Sequence, residues 1–160
     1  MVSIDEQFID AVSNSRDINI IKELILNGAD VNYIPLYPGL PPLSIASMYG
    51  LRDVCNLLLD NGANVNYKDR QKQTALLFST SVNIEIMKLL LEYGSDAEEV
   101  VLKLAKKRNK TLHIEILEEH IFQKKLILVK KRLALSKLFY SDLGKFLMEG
   151  CLYEDISLLI

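Results

Sequence analysis

The stretch Leu24-Ile25-Leu26-Asn27-Gly28-Ala29-Asp30-Val31-Asn32 constrains this chain more than any other, because it returns. Leu57-Leu58-Leu59-Asp60-Asn61-Gly62-Ala63-Asn64-Val65-Asn66 repeats it, and Leu89-Leu90-Leu91-Glu92-Tyr93-Gly94-Ser95-Asp96-Ala97 repeats it more loosely. Gly28, Gly62 and Gly94 lie 34 and 32 residues apart, a period that belongs to stacked helical repeats. Each copy reads as a helix end. A leucine turn enters the core, Gly supplies the left-handed residue that closes the helix, and Ala-Asp/Asn-Val-Asn turns the chain into a short hairpin. One such unit cannot bury its apolar face alone, so the period predicts a solenoid of stacked units.

The segments between these turns have helical spacing. Over 4–26, Phe8, Ile9, Ala11 and Val12 form one apolar face and Ile18, Ile20, Ile21, Leu24 and Ile25 a second. Asn14-Ser15-Arg16-Asp17 between them is turn chemistry. Pro35, Pro38, Pro41 and Pro42 exclude a helix from 32 to 41, whereas Pro42 suits the first turn of a helix over 42–49 ended by Gly50. A partner helix follows over 52–61, with Val54, Cys55, Leu57, Leu58 and Leu59 inward. After the polar hairpin 67–73, the pattern predicts helices at 74–78 and 84–91. A further pair is expected at 98–107 and 111–121, with Val100, Val101, Leu104, Ala105, Leu112, Ile114, Ile116 and Leu117 packing on the third unit.

Pro41-Pro42-Leu43-Ser44-Ile45-Ala46-Ser47-Met48-Tyr49-Gly50, a leucine-rich helix and Gly-Ala-Asn-Val-Asn together resemble the ankyrin repeat, with Pro41 for its Thr and Ser44 for its His. Thr74-Ala75-Leu76-Leu77 matches the same pattern more weakly. That unit is one residue short, with Val82 or Asn83 where the helix-ending Gly belongs, and the first hairpin is one residue long. The resemblance covers about 4–98 and extends to 121. It implies an all-α fold: an ankyrin-like helix-pair solenoid of units 4–33, 34–66, 67–98 and 99–121, with short hairpin loops. Residues 122–160 are then an added helical segment, either a cap on the open end or a partner-recruiting piece. Within it, Ser141-Asp142 reads as an N-cap for a helix to Glu149, ended by Gly150. The apolar Ile156-Ser157-Leu158-Leu159-Ile160 calls for burial or a partner. Poxviral and intracellular-bacterial proteins of this kind carry an F-box-like C-terminal segment, which Phe146-Leu147-Met148 matches poorly.

Composition narrows the function. The chain is 49% hydrophobic and 25% charged, which is too apolar for disorder, and no run reaches a membrane span. The N-terminus lacks the regions of a signal peptide. Cys55 and Cys151 make no framework and read as free thiols of a reducing compartment. The expectation is a soluble cytoplasmic monomer. Heavy Ile, Leu, Lys and Asn usage points to an AT-rich genome, a virus or an intracellular bacterium, and then to the host cytoplasm. Charge is divided. Residues 1–100 carry 7 Lys+Arg against 14 Asp+Glu, while 101–160 carry 12 against 7.

No phosphate loop, nucleophile elbow or Cys/His arrangement occurs in the sequence. His113 and His120 are seven apart on one helical face, with Glu119 near, whereas a helical metal pair sits four apart. No enzyme, cofactor or metal is expected. The resemblance instead implies protein binding by a concave face lined by hairpin tips and inner helices. On this chain those positions are Tyr33, Ile34, Leu36, Tyr37, Met48 and Tyr49, with Lys68, Arg70, Gln71, Thr80 and Ser81 one unit on. The first hairpin has two readings: contact residues for a partner, or Leu36 and Leu40 tucked against the solenoid. The 11 Lys+Arg of 101–137 also have two: a solvated helix face, or a site for nucleic acid or an anionic membrane. An adaptor role, in which 122–160 recruits a second partner, is the alternative to a single binding face.

Overall fold

The computed structural model describes residues 2–37, 39–96 and 98–139. Helices α1 (Ile4–Asp10), α2 (Ile18–Leu26), α3 (Pro42–Tyr49), α4 (Arg52–Asp60), α5 (Ala75–Ser79), α6 (Ile84–Glu92), α7 (Glu98–Lys107) and α8 (Thr111–Phe139) follow one another, with no strand among the described residues. The fold is all-α, in helix pairs joined by hairpin turns. The chain divides into two compact units, Met1–Glu118 and Glu119–Ile160. The segments 141–150 and 156–160, Phe146-Leu147-Met148 and Cys151 lie outside the described residues.

Local chemistry starts several of the helices. Ser3 and Glu6 form a reciprocal capping box on α1. Asp17, Thr74 and Asn83 cap α2, α5 and α6 through their side-chain oxygens. Pro42 occupies the first turn of α3, where its missing N–H has no partner to lose. Several helix ends share one motif. The Gly62 N–H bonds to the Leu59 carbonyl and the Ala63 N–H to the Leu58 carbonyl, both at 3.0 Å, closing α4 with Gly62 at φ +84°. Gly50 closes α3 in the same way at φ +75°. A methyl group built on Gly50 would stand 2.7 Å from Val82 Cγ1, so glycine is required there for space as well as conformation.

The Asn that ends each turn bolts one unit to the next. Asn32 Nδ2 donates to the Gly62 carbonyl at 3.1 Å while its Oδ1 accepts from the Asn64 N–H at 2.7 Å. Asn66 repeats this one unit on, to the Gly94 carbonyl at 3.1 Å and from the Asp96 N–H at 2.8 Å. The Tyr93 hydroxyl adds a hydrogen bond to the Asp60 carboxylate, which pushes the phenol above its ordinary pKa. Between the helices runs one core, from Phe8, Val12 and Ile21 through Leu43, Ile45, Leu58, Leu76, Met87 and Leu90 to Val101 and Leu117.

Four expectations need correction. The turn expected over 14–17 is shorter: the first helix widens into a π-helical segment, Ala11–Ser15, so the chain is still helical at Asn14 and the break falls at Arg16, in the left-handed region at φ 57°. The helix expected to stop at 121 continues to Phe139, because no Gly or Pro occurs in 111–139 to end it. Ile20 and Leu112 are exposed, not core. Val100 is also turned outward: Val101 and Ala105, four apart, take the buried face of α7, and Val100 is one residue (about 100°) off it.

Candidate protein-binding surface

The C-terminal ends of the first helices in successive pairs make a continuous strip of cross-unit contacts. Arg16 takes a left-handed backbone, and its guanidinium lies over the Tyr49 ring, 4.3 Å from the centroid. A cation over an exposed aromatic face is worth about 0.5–1 kcal/mol, which favours this pose of Tyr49 by a few-fold. Gly50 abuts Val82, Arg108 Nη1 donates to Ser81 Oγ at 2.5 Å, and Lys110 Nζ donates to the Thr80 carbonyl at 2.7 Å.

Hairpins flank this strip. The first is stiffened by proline, and Leu36 and Tyr37 stand 98% and 92% exposed at its tip, with Ile34 exposed beside them. Tyr33 is half-buried against the core, and so is Leu40. The two readings of this loop therefore divide between residues: Leu40 tucks in, Leu36 does not. With Glu6, Asp10 and Asn14 of the first helical segment, Tyr33, Leu36 and Tyr37 line a recess of about 420 Å³. The second hairpin is tied by Asp69, whose Oδ1 accepts from the Gln71 and Gln73 N–H groups at 2.8 and 2.7 Å. That leaves Lys68, Arg70 and Gln71 exposed at the tip.

Of the inner-helix residues, Tyr49 and Ser81 are exposed and Met48 is half-buried. Thr80 is a correction. It is buried, with its hydroxyl donating to the Leu77 carbonyl at 2.7 Å, so its side chain is withdrawn from the surface. The structure adds residues that the repeat pattern did not indicate. Leu77, Phe78, Val82, Val100, Lys103 and Leu104 join Met48 and Ser81 around a groove of about 610 Å³, together with Lys107 and Arg108. A signal was available: Val100, Lys103, Leu104 and Lys107 fall at i, i+3, i+4 and i+7, one face of a helix.

Other titratable and nucleophilic groups among the described residues stand apart from this surface. Cys55 is buried beside Ser47, with Oγ and Sγ 3.7 Å apart, and burial pushes its thiol up to about 11. His113 is held below the ordinary imidazole pKa by partial burial and then by Lys110. Among the described residues no group of three His, Cys, Asp or Glu is placed to hold a metal, and no helix is long and apolar enough to cross a membrane.

Comparison with known proteins agrees with this geometry. Residues 8–101 match the family described as ankyrin repeats (3 copies). The chain is similar to serine/threonine-protein kinase 12 of Arabidopsis thaliana, 39% identical over 87 residues, which is 52% of this chain and 18% of that protein. It is equally similar to putative ankyrin repeat protein R664 of Acanthamoeba polyphaga mimivirus, 39% identical over 82 residues, 48% of this chain and 51% of that one. The chain thus spans about half or less of each relative's length, and a match to 18% of a kinase carries no kinase activity across. Ankyrin repeats are generally protein–protein interaction modules without catalysis of their own. With the period, the paired helices, the asparagine bolts and this match in agreement, the chain belongs to the ankyrin-repeat family.

Proposed function

We propose that this chain is a non-catalytic binding module that grips a protein partner, as a monomer, by its first hairpin and the exposed ends of its inner helices. The observation that carries this reading is the outward display of Leu36 and Tyr37 at the first hairpin, together with the exposed Tyr49 ring under Arg16. Apolar and aromatic surface exposed in this way costs solubility unless something covers it, and Tyr supplies rigid amphipathic area at an interface. The stacked repeats hold these residues in place before any partner arrives, which lowers the ordering cost of association. The setting would be the cytoplasm of a cell. The test is affinity capture with wild type and with Tyr37→Ser/Tyr49→Ser at unchanged helical circular dichroism. A partner held by wild type and lost by the variant supports the reading; the same partner on both sinks it.

A second reading, the adaptor, has its own observation. The unit beginning at Glu119 leaves Phe122, Ile127, Leu128 and Leu133 exposed along its helix. In this reading residues 122–160 recruit a second protein. Deleting them should then leave the repeats folded and abolish only that interaction; collapse of the repeats on deletion would make the segment a cap instead. Nucleic-acid or lipid binding through 101–137 is the weaker alternative, and steep loss of affinity with salt would mark it.

A further inference from the structure

Between α3, α5 and α7 the strip opens into the 610 Å³ groove, and its lining has a definite chemistry. Met48, Leu77, Phe78 and Leu104 are half-buried there, while Val82 and Val100 stand 50% and 61% exposed. Lys103, Lys107 and Arg108 complete the lining, and no lining residue is acidic.

Charge selects the occupant. Residues 1–100 carry twice as many Asp+Glu as Lys+Arg, 14 to 7, yet here three cations converge on an apolar recess. Lys106, on another face of α7, is paired with Glu118 at 2.8 Å. Among the described residues, neither Lys103 nor Lys107 has a carboxylate within ion-pair distance. Among the described residues the Arg108 guanidinium donates to Ser81, a neutral partner that leaves its charge uncompensated.

Resting on the binding-module reading, we propose that this groove takes an acidic, apolar-anchored segment of the partner protein. An aliphatic or aromatic side chain enters among Met48, Leu77 and Leu104, and flanking carboxylates meet Lys103, Lys107 and Arg108. A nucleic-acid strand fits less well. Its phosphates would run from three cations onto an acidic repeat surface, and the lining offers one aromatic ring, Phe78, where strand binding uses successive stacking platforms. A bilayer fits less well too, since the apolar atoms are recessed between helices and do not form a projecting face.

A random dodecapeptide library displayed on phage is panned against the full chain. Selected peptides, fluorescein-labelled, are titrated by anisotropy against wild type, Lys103→Glu/Lys107→Glu, Lys103→Gln/Lys107→Gln and Tyr37→Ser/Tyr49→Ser. Labelled oligothymidine and phosphatidylserine vesicles are titrated in parallel. The expected result is peptides with Asp or Glu around a Leu or Phe, weakened about tenfold or more by charge reversal and less by neutralisation. Enrichment of neutral or basic peptides, enrichment of none, or indifference to both lysine variants at unchanged helicity overturns the proposal. Tighter lysine-dependent binding of oligothymidine or vesicles overturns it as well. Peptides lost on the tyrosine variant but indifferent to the lysines overturn this inference alone and leave the broader reading standing.

Discussion

Replacing Gly50 by alanine tests how the groove is built, because two separable penalties meet at that residue. The first is conformational. At φ +75° an L-residue pays roughly 1–2 kcal/mol for the left-handed region, partly offset by about 0.5–1 kcal/mol of unfolded-state entropy no longer lost. Gly62, at φ +84° with nothing within 4 Å of an added Cβ, isolates that term, so Gly62→Ala should cost about 1 kcal/mol. The second penalty is steric and belongs to Gly50: its new methyl would meet Val82 Cγ1 at 2.7 Å. Valine is stiff at χ1, so the backbone after α5 must give way, and overpacking of this kind adds about 1–3 kcal/mol. Gly50→Ala should therefore cost roughly 2–4 kcal/mol, and Val82→Ala, nearly neutral alone, should recover all but the conformational part. Urea unfolding followed by circular dichroism reads these as midpoint shifts at constant m. If Gly50→Ala is no worse than Gly62→Ala, or if Val82→Ala rescues nothing, α3 and the end of α5 are not in register as described.

Asn66→Ala removes two hydrogen bonds between the second and third units and should destabilise the repeats by about 1–2 kcal/mol in the same assay; no change would mean that the bolt carries no load. In a Cys151→Ser background, Cys55 with its thiol near 11 should resist iodoacetamide at pH 8 and react promptly in urea, since two pKa units cut the thiolate fraction roughly hundredfold. Prompt native labelling would contradict its burial. His113 has a depressed pKa, so the unfolded chain takes up its proton first: the stability from the neutral ring is present above about pH 6.5 and is lost as pH falls through that value toward the folded pKa. His113→Gln should flatten the stability profile between about pH 5 and 7, and an unchanged slope would assign it to other groups.

The repeat architecture was legible because it rests on backbone chemistry that sequence states directly. Leucine turns followed by Gly28, Gly62 and Gly94 mark helix ends, and Pro42 marks a helix start. What was not legible depends on rotation and distance. The turn read over 14–17 narrows to its Arg16 end because a π-helical segment absorbs Asn14 and Ser15, polar residues of the kind that usually stop a helix. Thr80 reads as a polar surface residue until its hydroxyl is seen to bond back to Leu77, which lets it be buried. Val100 reads as core because it neighbours Val101, and one residue of helical rotation separates the two faces. Leu36 and Leu40 are interchangeable in composition; only the path of the proline loop distinguishes them.

The charge division along the chain acquires a different meaning once folded. Read linearly, the acidic first 100 residues and the basic remainder suggest two surfaces with different partners. The compact unit extends through Glu118, so α7 and its lysines lie in the same unit as the acidic repeats. Two recesses on that one unit then differ in sign: Glu6 and Asp10 lie beside the aromatic first hairpin, and Lys103, Lys107 and Arg108 lie beside the aliphatic groove. An extended partner segment spanning both would be oriented by charge, its acidic end toward α7, before any apolar side chain docked. Reversing the charge at Lys103 and Lys107 should therefore slow association with such a segment more than it speeds release, and should lessen the salt dependence of the on-rate. A stopped-flow measurement in which only the off-rate changes would confine the lysines to contacts made after docking.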